Sequence, residues 1–80
     1  MLQLTPAGEV ITRRLKELGR SQSWLARRIK TQAQHVYLIL YVTAQPSIRT
    51  IYTIAEALGL DPHEICDAVA KGVMGGETDE

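Results

Sequence analysis

The chain has little of what most classes of function require. Only one of its 80 residues is cysteine, Cys66, so no internal disulfide can form, and a reducing compartment suits it. No apolar run approaches the ~20 residues of a membrane span. Met1 to Pro6 has neither the basic region nor the long apolar stretch of a signal peptide. The expectation is a soluble, cytoplasmic protein without a membrane partner. There is no glycine-rich phosphate loop, no plausible Cys–His or Ser–His–Asp set and no paired carboxylates in a credible cleft, so no enzyme is expected. His63 lacks any potential ligand partner, so neither a metal nor a cofactor is expected. Cys66 reads as a small apolar residue of the core.

Net charge is missing too: nine basic and nine acidic residues cancel, which at first argues against a nucleic-acid binder. Their distribution is uneven. Residues 1–50 hold eight basic residues against two acidic ones, or +6, and residues 51–80 hold one against seven, or −6. Such asymmetry suits one face for phosphate and another turned away, and solvated helix faces of differing sign suit it equally. Arg13, Arg14, Arg27 and Arg28 are expected to supply long-range attraction rather than specific contacts.

What the chain does have is apolar residues at helical spacing between recognisable caps. Thr5 and Pro6 start a first helix carrying Val10, Ile11, Leu15 and Leu18, and Gly19 stops it. Ser21 caps a second with Leu25, Ala26 and Ile29 on its apolar face, and Trp24 is expected to pack between helices one and two. A third spans roughly Gln32 to Tyr41, with only Lys30 and Thr31 between it and the second. Val36 to Val42 is rich in β-formers, but a lone strand would have no partner. After a loop to Pro46, Ser47 caps a fourth helix with Ile48, Ile51, Ile54, Ala55 and Leu58 inward and Gly59 at its stop. Asp61-Pro62-His63-Glu64 caps a fifth, which runs to about Lys71 with Ile65, Ala68 and Val69 on one face. The expected fold is all-α: a compact five-helix domain over residues 1–74, followed by a flexible tail at 75–80.

Two short helices joined by a tight turn form a helix-turn-helix, about residues 22–41, whose second helix can enter the major groove. The residues around it resemble the phage repressor and Cro type of DNA-binding domain, the xenobiotic response element family, from Val10 to Val69. The match lies in Ser21-Gln22, Leu25-Ala26 and Ile29, in Val36 and Ile39 as buried residues of the recognition helix, in Pro46-Ser47-Ile48, and in Ile54-Ala55-Glu56-Ala57-Leu58-Gly59-Leu60. Each is weak alone, and all in register are strong. Ala26 has its own physical reason, since a small residue lets the two helices cross closely. Three features depart from the family. Lys30 holds the turn position where glycine is usual, which places a non-glycine residue near positive φ at about 1 kcal/mol. Gln32 stands where a small capping residue is usual, which leaves Thr31 as the alternative cap. Leu40, Tyr41 and Val42 replace the usual glutamate, polar and glycine residues at the helix end.

The resemblance implies a repressor-like transcriptional regulator that dimerises on near-palindromic double-stranded DNA, with a mobile-element repressor, a Cro-like protein and an antitoxin all compatible. Gln34 is the first candidate for reading a base, by a bidentate pair with adenine. Gln32, Ala33 and Leu38 share its face, and Ala33 or Leu38 can pack on a thymine methyl. Gln22, at the start of the second helix, is a phosphate candidate, as are His35, Tyr37, Thr43 and Gln45, and less so Arg49. The family often pairs through its fifth helix, here Ile65, Ala68 and Val69 with Val73 beyond. The alternative is a protein-interaction module on the same fold, docking through Leu40, Tyr41 and Val42. RNA binding has less support, because no platform of exposed aromatics is evident.

Overall fold

The structure, a computed structural model, describes residues 3–43 and 45–75. Five helices follow one another: α1 (Pro6–Leu18), α2 (Gln22–Arg28), α3 (Ala33–Tyr41), α4 (Ile48–Leu58) and α5 (Pro62–Gly75). Among the described residues there is no strand, so the all-α, five-helix expectation holds. No helix there is long and apolar enough to cross a membrane.

Local chemistry accounts for the helix starts. The hydroxyls of Thr5, Ser21 and Ser47 accept the backbone N–H of Gly8, Trp24 and Thr50 at 2.9, 3.1 and 3.2 Å, satisfying amides that no helical carbonyl can reach. Asp61 Oδ1 accepts the His63 N–H at 2.9 Å and lies 3.0 Å from His63 Nδ1. The amide bond first, and the ring second, hold its carboxyl below the ordinary value of 3.8. Gln32 precedes α3 with no side-chain cap. Thr31 does not cap in its place: its hydroxyl pairs with His35 Nδ1 at 2.8 Å.

Three of the helix ends share one device. After α1, the N–H of Gly19 bonds Lys16 O and that of Arg20 bonds Leu15 O. Gly59 and Leu60 repeat this on Glu56 O and Ala55 O, and Lys30 and Thr31 on Arg27 O and Ala26 O. This pair of bonds requires a left-handed residue, and φ is 68° at Gly19, 70° at Gly59 and 59° at Lys30. The expected positive φ at Lys30 is therefore present.

The core is a single cluster in which Ile11, Leu25, Val36, Leu40, Ile54, Leu58 and Ile65 are the largest fully buried side chains. α1 packs on α3, α4 and α5, α2 packs on α3 and α4, and α4 packs on α5. Cys66 packs half-buried against the core. Trp24 is also half-buried; the Arg20 guanidinium sits 5.2 Å above its ring, and it lines a groove with Leu18, Ala57 and Leu58. Its neighbours thus come from the ends of α1 and α4.

Several expectations need correction. Ile48, placed inward by periodicity, is 67% exposed, because it opens α4 where the packed layer ends. Leu18, in the last turn of α1, is likewise exposed. Ile29 caps α2 rather than belonging to it, so four residues, not two, separate α2 from α3. α5 continues past Lys71 to Gly75, since a helix tolerates an interior glycine at about 1 kcal/mol. Gly75 is thus helical, and the rest of the expected tail, 76–80, lies outside the described residues.

Candidate nucleic-acid interface

Burial divides α3 into two faces. Val36, Ile39 and Leu40 are buried in the core. Opposite them Gln34, Tyr37, Leu38 and Tyr41 follow at the i, i+3, i+4, i+7 spacing that makes one stripe along a helix. Gln34 is exposed, Tyr37 and Leu38 are 39% and 38% exposed, and Tyr41 is half-buried. The Tyr37 and Tyr41 rings pack against each other with centroids 5.0 Å apart. Ala33 lies one turn before Tyr37, exposed at the start of the helix. Gln32 is exposed as well, but it is the cap residue and has extended backbone, so it borders the stripe rather than belonging to it.

The other sequence candidates surround this stripe unevenly. Gln22 is the half-buried first residue of α2, and His35 is exposed with its ring held by Thr31. Thr43 is half-buried just beyond α3, where its N–H bonds Leu38 O at 2.7 Å. Gln45 faces elsewhere, lining a groove of about 340 Å³ with Pro46, Ile48, Ile51, Cys66, Val69 and Ala70. Tyr37 lies in the middle of the stripe rather than beside it. Of the three residues proposed for a protein partner, Leu40 is fully buried and unavailable, whereas Val42 is 56% exposed.

α3 is held by contacts its own sequence does not reveal. The Thr5 N–H donates to Leu40 O at 2.8 Å, and its hydroxyl donates to Ile39 O at 2.9 Å with Leu40 O at 3.1 Å. One threonine therefore caps the start of α1 and satisfies the carbonyls at the end of α3, where no glycine motif is available. Gly8 makes that approach possible: a Cβ there would collide with the Leu40 carbonyl oxygen. A glycine within a helix was the available signal for Gly8. For the second role of Thr5 there was none.

The cations are placed less freely than the sequence suggested. Arg14 Nε donates to Leu58 O at 2.9 Å, and its Nη1 pairs with Glu17 at 3.1 Å. Arg13 lines a groove between α1 and α5 with Glu9, Glu64, Asp67 and Lys71. Arg14, from within α1, ties that helix to the C-terminal end of α4, while Arg13 is exposed and stands beside Glu64 and Asp67 of the other half because α1 packs on α5. Arg27, Arg28, Lys30 and Arg49 are exposed as well, with Lys30 in the turn before α3 and Arg49 in the first turn of α4.

A short helix, a four-residue turn and a second helix with one face in the core and one in solvent make up a helix-turn-helix. Residues 10–71 match the model of the Cro/C1-type helix-turn-helix DNA-binding domain. The chain belongs to that family. No curated protein and no solved structure matches it. As a Cro/C1-type domain it is a DNA-binding regulator of transcription, in a family that is typically not enzymatic. The Cro/C1-type match spans all of α2, α3 and α4, so it includes the stripe, the turn at Lys30 and the exposed Arg49.

Proposed function

We infer that this chain is a repressor that binds a near-palindromic operator as a homodimer, each subunit laying α3 in the major groove of one half-site. The observation that carries this reading is the stripe on α3, which solvent reaches while Val36, Ile39 and Leu40 fix the helix in the core. A side chain can report a base edge only from a rigid support, and this support is packed on two helices and pinned by Thr5. Gln34 pairs with adenine, and Ala33, Leu38 and the bordering Gln32 meet neighbouring bases. Tyr37 shares the reading face. Gln22, His35 and Thr43 bond phosphate on either side of the groove, with attraction from Lys30 and Arg49.

Few bases are within reach of one such helix, which makes two-fold pairing the usual route to specificity. Ile65 is buried and takes no part in pairing. The second copy is met instead by the groove formed by Ile48, Ile51, Cys66, Val69 and Ala70, with the exposed Tyr52 beyond it. Gln45 belongs to that surface.

The test selects bound duplexes from a random DNA pool and then measures variants on a panel of single-base operator changes at fixed salt. An enriched near-palindrome is expected. Gln34→Ala should lose about 1–3 kcal/mol on the preferred site and relax one base pair per half-site. Gln22→Ala should weaken all sequences evenly, since phosphates carry no sequence information. A Gln34→Ala protein that keeps the parent's full preference profile would mean that α3 does not read DNA. Docking of a protein through Leu38, Tyr41 and Val42 would then take its place.

A further inference from the structure

The side chains α3 presents restrict which base edges it can read. From Gln32 to Tyr41 there is no Lys, Arg, Asp or Glu. Guanine is most often read by a cation on its O6 and N7, and the cytosine amine by a carboxylate. α3 offers neither. Its exposed forked group in the stripe is the amide of Gln34, whose donor and acceptor match N6 and N7 of adenine. The rest of the stripe is largely apolar: Leu38 lies one turn beyond Gln34, Ala33 lies at the helix start, and the rings of Tyr37 and Tyr41 are packed on each other. In the major groove one feature rewards an apolar tip, the C5-methyl group of thymine. The rise from Gln34 to Leu38 is about 6 Å, just under two base-pair steps of about 3.4 Å, so both side chains fall within two base pairs of each other.

We propose that the half-site is rich in A·T pairs, with Gln34 reading an adenine while Leu38, assisted by Ala33, reads thymine C5-methyl groups on the neighbouring pairs. This rests on the reading of α3 as the base-contacting helix. A cytosine methylated at C5 presents the same methyl group, and thymine is the choice here because Gln34 already calls for A·T pairs.

The experiment uses the full chain and its selected duplex, with each thymine replaced in turn by deoxyuridine, which keeps the hydrogen-bonding edge and lacks only the methyl. Binding should weaken about fourfold for each methyl that is contacted, at one or two positions per half-site and nowhere else. Leu38→Ala should bind the parent site more weakly and be indifferent to deoxyuridine at the position it has vacated. Replacing that thymine by 5-methylcytosine, opposite guanine, should bind better than replacing it by cytosine, because the methyl is what is read. Equal binding of thymine and deoxyuridine duplexes at every position, or selected half-sites dominated by G·C pairs, overturns the proposal while leaving base reading by α3 in place. A pool that yields no enriched sequence overturns both. Since the decisive change is in the DNA, folding of a variant does not enter the result.

Discussion

Gly19, Lys30 and Gly59 occupy equivalent places after α1, α2 and α4, each with φ between 59° and 70°, and only Lys30 carries a side chain. A left-handed non-glycine residue costs about 1–2 kcal/mol, while glycine costs about 0.5–1 kcal/mol through the freedom of the unfolded chain. The first effect is the larger, so Lys30→Gly should stabilise the fold by about 0.5–1 kcal/mol, a rise of a few degrees in thermal midpoint for a domain of this size. The same change removes a cation beside α3 and should weaken DNA binding at low salt. Thermal denaturation and a binding titration on one preparation check both halves. A less stable Lys30→Gly protein would mean that the lysine stem contributes packing worth more than the strain. The position was legible in the sequence because the spacing of the helix-turn-helix places a turn residue there. What Thr31 does was not legible, since choosing between an amide and the His35 ring depends on distances no pattern encodes.

At the scale of the element, α3 shows where reading a sequence succeeds and where it stops. Its buried residues Val36 and Ile39 follow from periodicity and family register, and the exposure of Gln34 follows from the same wheel. The end of the helix does not, because its carbonyls are satisfied by Thr5, 34 and 35 residues away. Ile48 failed for a related reason: a pattern locates an apolar face but not the point at which the neighbouring helix stops covering it. Thr5→Val keeps the shape of the side chain and removes the hydroxyl. It forfeits a cap worth about 1 kcal/mol and leaves a buried carbonyl short of a donor at about 1–3 kcal/mol, so a loss of about 2–3 kcal/mol is expected. Thr5→Ser should recover most of it. Gly8→Ala sets two effects against each other, a propensity gain of about 1 kcal/mol and a collision with the backbone of Leu40. Backbone cannot step aside as a side chain can, so a net loss of about 1–3 kcal/mol is expected. Urea unfolding measures all three. A Gly8→Ala protein more stable than the parent would show that α1 and α3 can separate freely.

Across the whole molecule, surfaces and charges depend on which helices meet. Pairing through the α4–α5 groove is best tested at Ile48, since Val69 packs on the core and a charge there would damage the fold as well. Ile48→Glu adds a carboxylate at the first position of α4, where the helix dipole favours it, so folding should survive while the dimer weakens. Sedimentation showing an unchanged monomer–dimer balance in a folded Ile48→Glu protein would place pairing elsewhere. The charges extend the same reasoning. The sequence divides into a +6 half and a −6 half, but α1 folds against α5, which brings Arg13 into a groove with Glu9, Glu64 and Asp67, and against α4, where Arg14 bonds Leu58 O while pairing with Glu17 of its own helix. Segregation along the chain is therefore not segregation by face, and counting cations in the first half overstates what DNA meets. Each phosphate neutralised contributes about −0.9 to the slope of log K against log salt. Lys30→Ala and Arg49→Ala should each flatten that slope by about one per subunit. Arg13→Ala should leave it unchanged although it removes the same charge, because a long-range field at ordinary salt is screened within about 10 Å. Titrations of the three variants against one duplex over a range of salt decide the matter. If Arg13→Ala flattens the slope as much as Lys30→Ala does, the α1–α5 groove faces the DNA and the orientation proposed for α3 is wrong.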